Sequence, residues 1–337
     1  NSWNIICYDI GDDMKQVRWG IIGASKFALE HMGPAIHLAK GADLYAVASR
    51  DLNKVSAFKN FCATCLAIPS YEELLQNPNI DAVYIPLPHH LHTEWAIKAL
   101  NSGKHVLAEK PIAMHNNDFE LLLKARDTTG LMASEAYMIV HHPQWQRARQ
   151  MIGDGAIGNV IHITGGFSYD NSDDPTNIRN QAEMGGGGMR DIGVYIIGAA
   201  TYVMNQALEN ITAKVRLENG FDVFTSIQGT LGASQYSTYV STRMHPHQEM
   251  SFHGSTGILR LTAPFNPNVF GEARLELHQP ALGLRVERFP GANHYIKQVE
   301  AFNDSIMISK PLVWTLEQAR STQQAIDTVL SVATAIT

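Results

Sequence analysis

Cysteine is scarce: three residues in 337, at positions 7, 62 and 65. That is too few to staple a chain of this length and fits a reducing, cytoplasmic compartment. Cys62 and Cys65 form a C-x-x-C, but no second pair follows at zinc-site spacing and the pair does not open a helix after a strand, so both read as structural thiols. Long apolar runs are also missing. The longest, 192–204, is broken by Gly193 and Gly198 and falls short of the roughly 30 Å hydrocarbon layer, so neither a membrane span nor a membrane partner is expected. Lysine and arginine nowhere form a run, and 26 basic against 32 acidic side chains give a formal charge of -6. Nucleic acid is therefore not an expected partner. The start lacks a basic segment followed by an apolar core, so residues 1–15 read as a disordered leader or expression remnant, with Met14 as the true start.

Apolar patterning is what the chain has. At 45% hydrophobic residues it can fill two cores, and its length exceeds what one core usually supports. From 17 to 138, apolar runs of strand length alternate with helical spacing, the pattern of βαβ units and a parallel sheet. Strands are predicted over 17–23, 44–49, 82–86, 105–108 and 132–136, and helices over 27–40, 52–60, 71–76, 93–101 and 118–128. Beyond Pro143 a short helix leads into closely spaced strands at 160–169, 211–217, 223–231, 235–242, 249–253 and 258–262, which implies an antiparallel sheet. One helix over 189–204, entered from Gly185-Gly186-Gly187-Gly188, interrupts them, and two more close the chain at 295–308 and 316–335.

The first predicted strand ends in Gly23-Ala24-Ser25-Lys26-Phe27-Ala28. In a dinucleotide-binding fingerprint three small residues permit a tight turn, close approach of the backbone to pyrophosphate and close packing of helix on strand. Gly23, Ser25 and Ala28 hold those positions. Ser25 departs from the strict pattern, but its hydroxyl is suited to donate to a phosphate oxygen at the helix start. At the tip of the second strand, NAD calls for a carboxylate and NADP for an arginine. The chain offers Ser49 and Arg50 with Lys54 a turn later, which favours NADP over NAD, while Asp51 would become the ribose ligand if the register shifted by two.

Two further stretches are Ile85-Pro86-Leu87-Pro88-His89-His90-Leu91-His92 and Gly103-Lys104-His105-Val106-Leu107-Ala108-Glu109-Lys110-Pro111. Together with the Gly23 turn, with Glu135-Ala136-Tyr137-Met138, with Asp191-Ile192-Gly193-Val194-Tyr195 and with the Leu316-Glu317-Gln318-Ala319-Arg320 helix, they resemble the Gfo/Idh/MocA family of oxidoreductases over nearly the whole chain. The resemblance implies that Lys110 lies at the nicotinamide end with Glu109 beside it, and that Leu87, Pro88, His89 and His92 line the cofactor cleft. Where the common form of the family has a histidine four residues after the aspartate, this chain has Tyr195. It is similar in that respect to the glucose-fructose oxidoreductase, dihydrodiol dehydrogenase and xylose dehydrogenase branch.

Asp191 and Tyr195 are four apart on a predicted helix, hence on one face. A phenol near pKa 10 is a poor base unless a cation stabilises its phenolate, and Lys110 is the expected cation. The expected chemistry is proton exchange between Tyr195 and a substrate hydroxyl or carbonyl while hydride moves to or from the nicotinamide. Lys110 would bond the same oxygen, and Asp191 would bind a neighbouring hydroxyl. Arg179, in Asn177-Ile178-Arg179, matches an Asn-Trp-Arg segment of the tyrosine branch. Arg179 and Tyr137 are expected to bind substrate. His245 and His247 share a strand face without a third ligand, and no metal is expected.

The predicted fold is α/β: a Rossmann-type domain over 16–138, an α+β domain with a large, mainly antiparallel open sheet over 139–311, and a C-terminal helix over 312–337 packing back on the first domain. The expected function is NAD(P)-dependent oxidation or reduction of a sugar, polyol or diol by a homodimer or homotetramer joined through the large sheet. An NAD-dependent glycosidase of related fold and a non-catalytic dinucleotide sensor are the alternatives.

Overall fold

The computed structural model describes residues 16–336, so the expected leader and Met14 lie outside the described residues. Near-continuous apolar segments form the first sheet. Its strands are β1 (Val17–Ile22), β2 (Ala42–Ala48), β3 (Leu66–Ile68), β4 (Ala82–Ile85), β5 (His105–Ala108) and β6 (Ala133–Glu135). They are all parallel, in the order β3-β2-β1-β4-β5-β6. Such a sheet is covered on both faces, and β4 is buried at every position for that reason. Helices α1 (Gly33–Leu38), α2 (Leu52–Ser56), α3 (Tyr71–Gln76), α4 (His92–Asn101) and α5 (Asp118–Thr129) follow successive strands. Helix α3 starts where the sequence indicates, with the Ser70 hydroxyl accepting from the Glu73 amide at 3.1 Å. Strand β3 was not predicted. It is three residues long, and only Ile68 is even partly buried, so it carries no hydrophobic signal.

Helix α6 (Pro143–Gly153) leads into the second sheet, and α7 (Val194–Met204) packs beneath it. The sheet contains β7 (Val160–Asp170), β8 (Leu208–Glu218), β9 (Phe221–Leu231), β10 (Ser234–Ser241) and β11 (Arg243–Gly254). It is completed by β12 (Ile258–Leu261), β13 (Arg274–Gln279), β14 (Gly283–Arg288) and β15 (Thr334–Ala335). The nine strands run β14-β13-β12-β11-β7-β10-β9-β8-β15. The sheet is mostly antiparallel but mixed: β7 and β10 are parallel, as are β8 and β15. Strands β13 to β15 also escaped prediction, and β14 has no buried residue to mark it.

Helix α8 (His294–Ile308) returns to the first sheet, where the Trp19 indole donates to Asn303 Oδ1 at 3.0 Å. Helix α9 (Leu316–Val332) opens with a capping box between Thr315 and Gln318. It lies against α7 and β8, and it reaches the first sheet's helices through Arg126 with Glu317 at 2.7 Å and the Asn116 amide on Asp327 at 2.8 Å. One continuous hydrophobic core therefore joins the two sheets, running from Val83 and Trp95 through Tyr137 and Trp314 to Phe252. Among the described residues no helix is long and apolar enough to cross a membrane.

Candidate active site

The turn after β1 is made by a glycine for geometric reasons. Gly23 sits at φ +110, and a Cβ there would meet Leu87 Cδ2 at 2.9 Å. Ser25 Oγ accepts from the Ala28 amide at 3.1 Å, where the chain enters a π-helical turn (Ala28–Met32) that runs on into α1. Its own proton stays free to donate outward. Ala24, Lys26 and Phe27 continue the turn, and Ala28 is buried against the core, so a larger side chain would part helix from strand. At the tip of β2, Ser49 is buried and its hydroxyl accepts from the Asp51 amide at 3.1 Å. Asp51 Oδ1 accepts from the Asn53 amide and caps α2, so its carboxylate is committed to the helix. Arg50 and Lys54 are exposed and, among the described residues, make no ion pair.

A cleft of about 1060 Å³ opens between the strand tips of the first sheet and the second sheet. Ser25 and Lys26 line it together with Lys110, Asp191 and Tyr195 and with Asn177, Gln248 and Phe270. Strand β5 delivers Glu109 and Lys110, and the Lys110–Pro111 peptide bond is cis. Glu109 accepts from the Tyr84 hydroxyl at 2.6 Å and from the Lys110 amide at 3.3 Å. Burial raises its carboxyl pKa despite these donors. Leu87 and Pro88 lead into the short 3-10 turn His89–Leu91. His89 lines the cleft with Nδ1 buried and unpartnered, and burial, helped by the Lys110 charge, lowers its pKa to about 3. It is a neutral imidazole with a polar atom to offer. His92 is different: it is fully buried, Nδ1 lies 2.8 Å from the Pro111 carbonyl and Nε2 2.6 Å from that of Leu87. Instead of presenting a ring nitrogen to a cofactor, it ties the β4 loop to the Lys110–Pro111 bend.

Lys110 Nζ donates to the Asp191 carbonyl at 2.6 Å and to Asp191 Oδ1 at 3.1 Å, and lies 4.9 Å from the centroid of the Tyr195 ring. Asp191 Oδ2 accepts from the Tyr169 hydroxyl at 2.7 Å and pairs with Arg179 Nε at 2.9 Å. Burial would raise this carboxyl, but Arg179, Lys110 and Tyr169 outweigh it and hold the group well below the usual carboxylate range. Both oxygens are occupied, so Asp191 does not stand free to bind a substrate hydroxyl as the sequence suggested. It organises two cations.

The Tyr195 hydroxyl lies 3.7 Å from Met138 Sδ, and Lys110 faces its ring, not its oxygen. Burial, with Tyr295, Glu109 and Asp191 nearby, pushes the phenol well above its ordinary pKa. The expected lowering by Lys110 is not found in this arrangement, because the ammonium is spent on Asp191. Tyr137 is corrected as well. It is fully buried outside the cleft, and its hydroxyl donates to the carbonyls of Val194 at 3.2 Å and Tyr195 at 2.9 Å. It fixes the start of α7. The predicted helix over 189–204 in fact begins as a π-helical turn, Met189–Gly193, before α7.

The four glycines are needed for contact, not for looseness. Gly187 has φ +112, and a Cβ there would lie 2.2 Å from Asp222 Oδ1, which belongs to a carboxylate that also accepts the Met189 amide at 2.7 Å. Tyr169 and Tyr295 were not found from sequence. Tyr169 ends a predicted strand just before the acidic loop, a position at which loops and strands meet functional clefts. Tyr295 arrives on α8, far along the chain, and no local signal marks it.

Parallel strands whose tips face a phosphate turn, with a lysine, an aspartate and a tyrosine gathered beside it, define a dinucleotide-dependent oxidoreductase. Residues 17–137 match the model of an oxidoreductase family with an NAD-binding Rossmann fold, and 145–260 match the GFO/IDH/MocA C-terminal domain. The chain belongs to the GFO/IDH/MocA family. An uncharacterised oxidoreductase of Rhizobium meliloti is 36% identical over 94% of this chain and 96% of its own. The dTDP-3,4-didehydro-2,6-dideoxy-alpha-D-glucose 3-reductase of Actinomadura kijaniata is 31% identical over 90% of this chain and 92% of its own. The structure of a 3-ketoreductase from A. kijaniata in complex with NADP and TDP-benzene superposes with TM-score 0.87 at 29% identity, covering 95% of this chain and 99% of that one.

Proposed function

We propose that the chain transfers hydride between NADP(H) and a carbon bearing a hydroxyl or carbonyl in a sugar, polyol or diol. The observation that carries this reading is Lys110, fixed at the strand tip between Asp191 and the face of Tyr195 in a cleft continuous with the Gly23 turn. The cofactor fits the residues present: Gly23 leaves room only for backbone, Ser25 Oγ donates to no group among the described residues, and His89 Nδ1 is an orphaned buried atom in the cleft lining. NADP is favoured over NAD because Arg50 is exposed and, among the described residues, without an ion-pair partner, while Asp51 Oδ1 is tied into a helix cap. Relatives support it too: a xylose dehydrogenase of Haloferax volcanii, 29% identical, is named for NADP(+).

When bound, the nicotinamide supplies or accepts the hydride. The chain's part is to bind, orient and move one proton. Lys110 donates to the substrate oxygen borne by the carbon that gains or loses hydride, in exchange for one of its bonds to Asp191. Tyr195 carries the proton at its hydroxyl, which meets only a thioether and is unsatisfied by any stronger acceptor. A substrate oxygen drawn between that hydroxyl and Lys110 Nζ brings the cation to bear on the phenol, which supports a lowered pKa in the complex. Arg179 uses only Nε on Asp191, which leaves its terminal nitrogens for substrate oxygens. The division of labour follows: 16–138 holds cofactor, 139–311 holds substrate and associates with a second copy, and 312–337 joins the two.

Incubation with NADP+ or NAD+ and a panel of aldoses, cyclitols and diols, and with NADPH and keto sugars, is expected to change the absorbance of reduced nicotinamide. Lys110→Ala and Tyr195→Phe should each lower kcat/KM by about 100-fold or more. Values within a few-fold of wild type would sink the assignment.

A further inference from the structure

A second cavity, of about 480 Å³, shares no lining residue with the cleft. Its walls are the loop after β5, carrying His115, Asn116 and Asn117, the last turns of α9, carrying Asp327 and Ser331, and Arg190. The volume is in the range of small-molecule sites. Nothing in the reading of hydride transfer uses it.

Arg190 is the unusual wall. Its side chain is half-buried, Nε is buried without a hydrogen-bond partner, and among the described residues no carboxylate comes within ion-pair distance, although its charge acts on the buried Asp222. Guanidinium groups are not normally left so, since an unmet buried donor costs about 1–3 kcal/mol and more when charged. The nearby acids are already engaged. Asp327 accepts from the Asn116 amide and from Gln323 Nε2, each at 2.8 Å, and the buried Asp222 accepts from the Met189 amide. Asn116 uses its backbone amide and Oδ1, the latter accepting from Arg320 at 3.0 Å, and among the described residues the side-chain Nδ2 atoms of Asn116 and Asn117 have no partner.

We propose that this cavity is a binding site for an oxyanion, a carboxylate or phosphate group on a small molecule, taken by the Arg190 guanidinium and the side-chain amides of Asn116 and Asn117. A planar guanidinium matches such a group with paired N–H donors. The site is coupled to chemistry by the backbone. Arg190 and Asp191 are consecutive in a π-helical turn, a geometry often found at functional positions, and the Asp191 carbonyl is itself a Lys110 acceptor. Occupancy therefore holds the turn that aims Lys110.

The test is thermal unfolding of the full chain saturated with NADP, so that phosphate-binding groups near Arg50 are already filled, titrated with citrate and with inorganic phosphate against a chloride control of equal ionic strength. At tenfold saturation Tm should rise by about 2–4 °C. Arg190→Gln should abolish the rise, whereas Arg50→Gln should leave it intact. A response to citrate alone would assign carboxylate, and a response to phosphate alone would assign phosphate. The proposal is overturned if neither ion raises Tm above the chloride control, or if Arg190→Gln responds like wild type. It is overturned too if Arg190→Gln and Asp327→Asn lose equal stability with no ligand dependence, since Arg190 would then simply pair with Asp327. The readout does not involve turnover, so the outcome stands apart from the hydride-transfer reading.

Discussion

Three donors converge on Asp191: Lys110 on one oxygen, Arg179 and Tyr169 on the other. A carboxylate so held stays ionised throughout the working pH range and keeps Lys110 beside Tyr195. Tyr169→Phe removes one donor without changing shape. A hydrogen bond to a charged group is worth about 1.5–3 kcal/mol, so kcat/KM should fall by about 10-fold or more while the far-UV circular dichroism is unchanged. A rate within twofold would mean that Arg179 alone holds the oxygen. Lys110, Asp191 and Tyr195 were legible in the sequence because each sits in a short motif whose neighbours fix its place. Their mutual bonds were not, since spacing along a helix says which side chains share a face and nothing about which partner from β7 or from the Arg179 loop will fill an oxygen first. Tyr137 was misjudged for the same reason: adjacency to Met138, which lines the cleft, does not reveal that its own side chain turns inward under α7. At the tip of β2, Arg50→Glu should reverse the cofactor choice by placing a carboxylate where NADP carries phosphate. The ratio of kcat/KM for NADP to that for NAD is expected to drop by about 100-fold, and an unchanged ratio would assign discrimination elsewhere.

At the scale of elements, the segment of 3-10 turn and helix after β6 meets α8 through histidines. His141, His142 and His294 are all buried, and the rings of His142 and His294 are 5.8 Å apart, edge to face. Burial lowers the pKa of His141 and His142 to about 4 and of His294 to about 3, the last two further depressed by Lys297 and by the neighbouring imidazoles respectively. A base whose folded pKa lies below its unfolded value near 6.5 binds a proton more readily when unfolded. Its contribution is complete above the unfolded pKa and is lost as pH falls toward the folded one. Glu135, buried between the Ile112 amide and the Trp314 indole and raised to about 7, acts in the opposite sense and offsets one of the three. With His89 lowered in the same way, the buried histidines outnumber Glu135, and stability should therefore fall as the pH drops from roughly 6 to 4.5. Denaturant midpoints measured across that range check the slope, and His294→Gln should flatten it; an equal slope in the variant would place the acid sensitivity elsewhere. The packing of these elements was foreseeable only in part. Helices α4 to α9 have apolar periodicity or caps, whereas β3 and β14 have almost no buried face, and pattern reading depends on burial.

For the molecule as a whole, the second sheet has two different faces. Tyr236, Val240 and Ile227 point into the shared core, while Phe224 and Tyr239 stack at 6.2 Å on the other side, half-exposed, with Gly166 leaving room for the Tyr239 ring. Beside them Arg260 bridges Glu249 at 2.5 Å and Glu276 at 3.3 Å, an ordered charge pattern on flat backbone. Aromatic anchors set among arginine pairs are the composition of an association surface, and a flat sheet face presents them without loop ordering. A two-fold axis through the Phe224 and Tyr239 region would bury the same patch on both copies. If the protein assembles this way, Tyr239→Glu introduces two unpaired carboxylates per interface and should lower the mass measured by light scattering after gel filtration to that of one chain. The variant's cleft is on the opposite side of the sheet, so cofactor binding should survive. A wild-type mass of one chain, or a variant that keeps the wild-type mass, would show that this face does not carry the assembly. The parity that puts Tyr239 outside puts Val240, and with it its β7 partner Phe167, inside. The aromatic outer face and the apolar inner face of β10 are thus set by a single register, and a one-residue slip would exchange Tyr236 and Val240 with Tyr239.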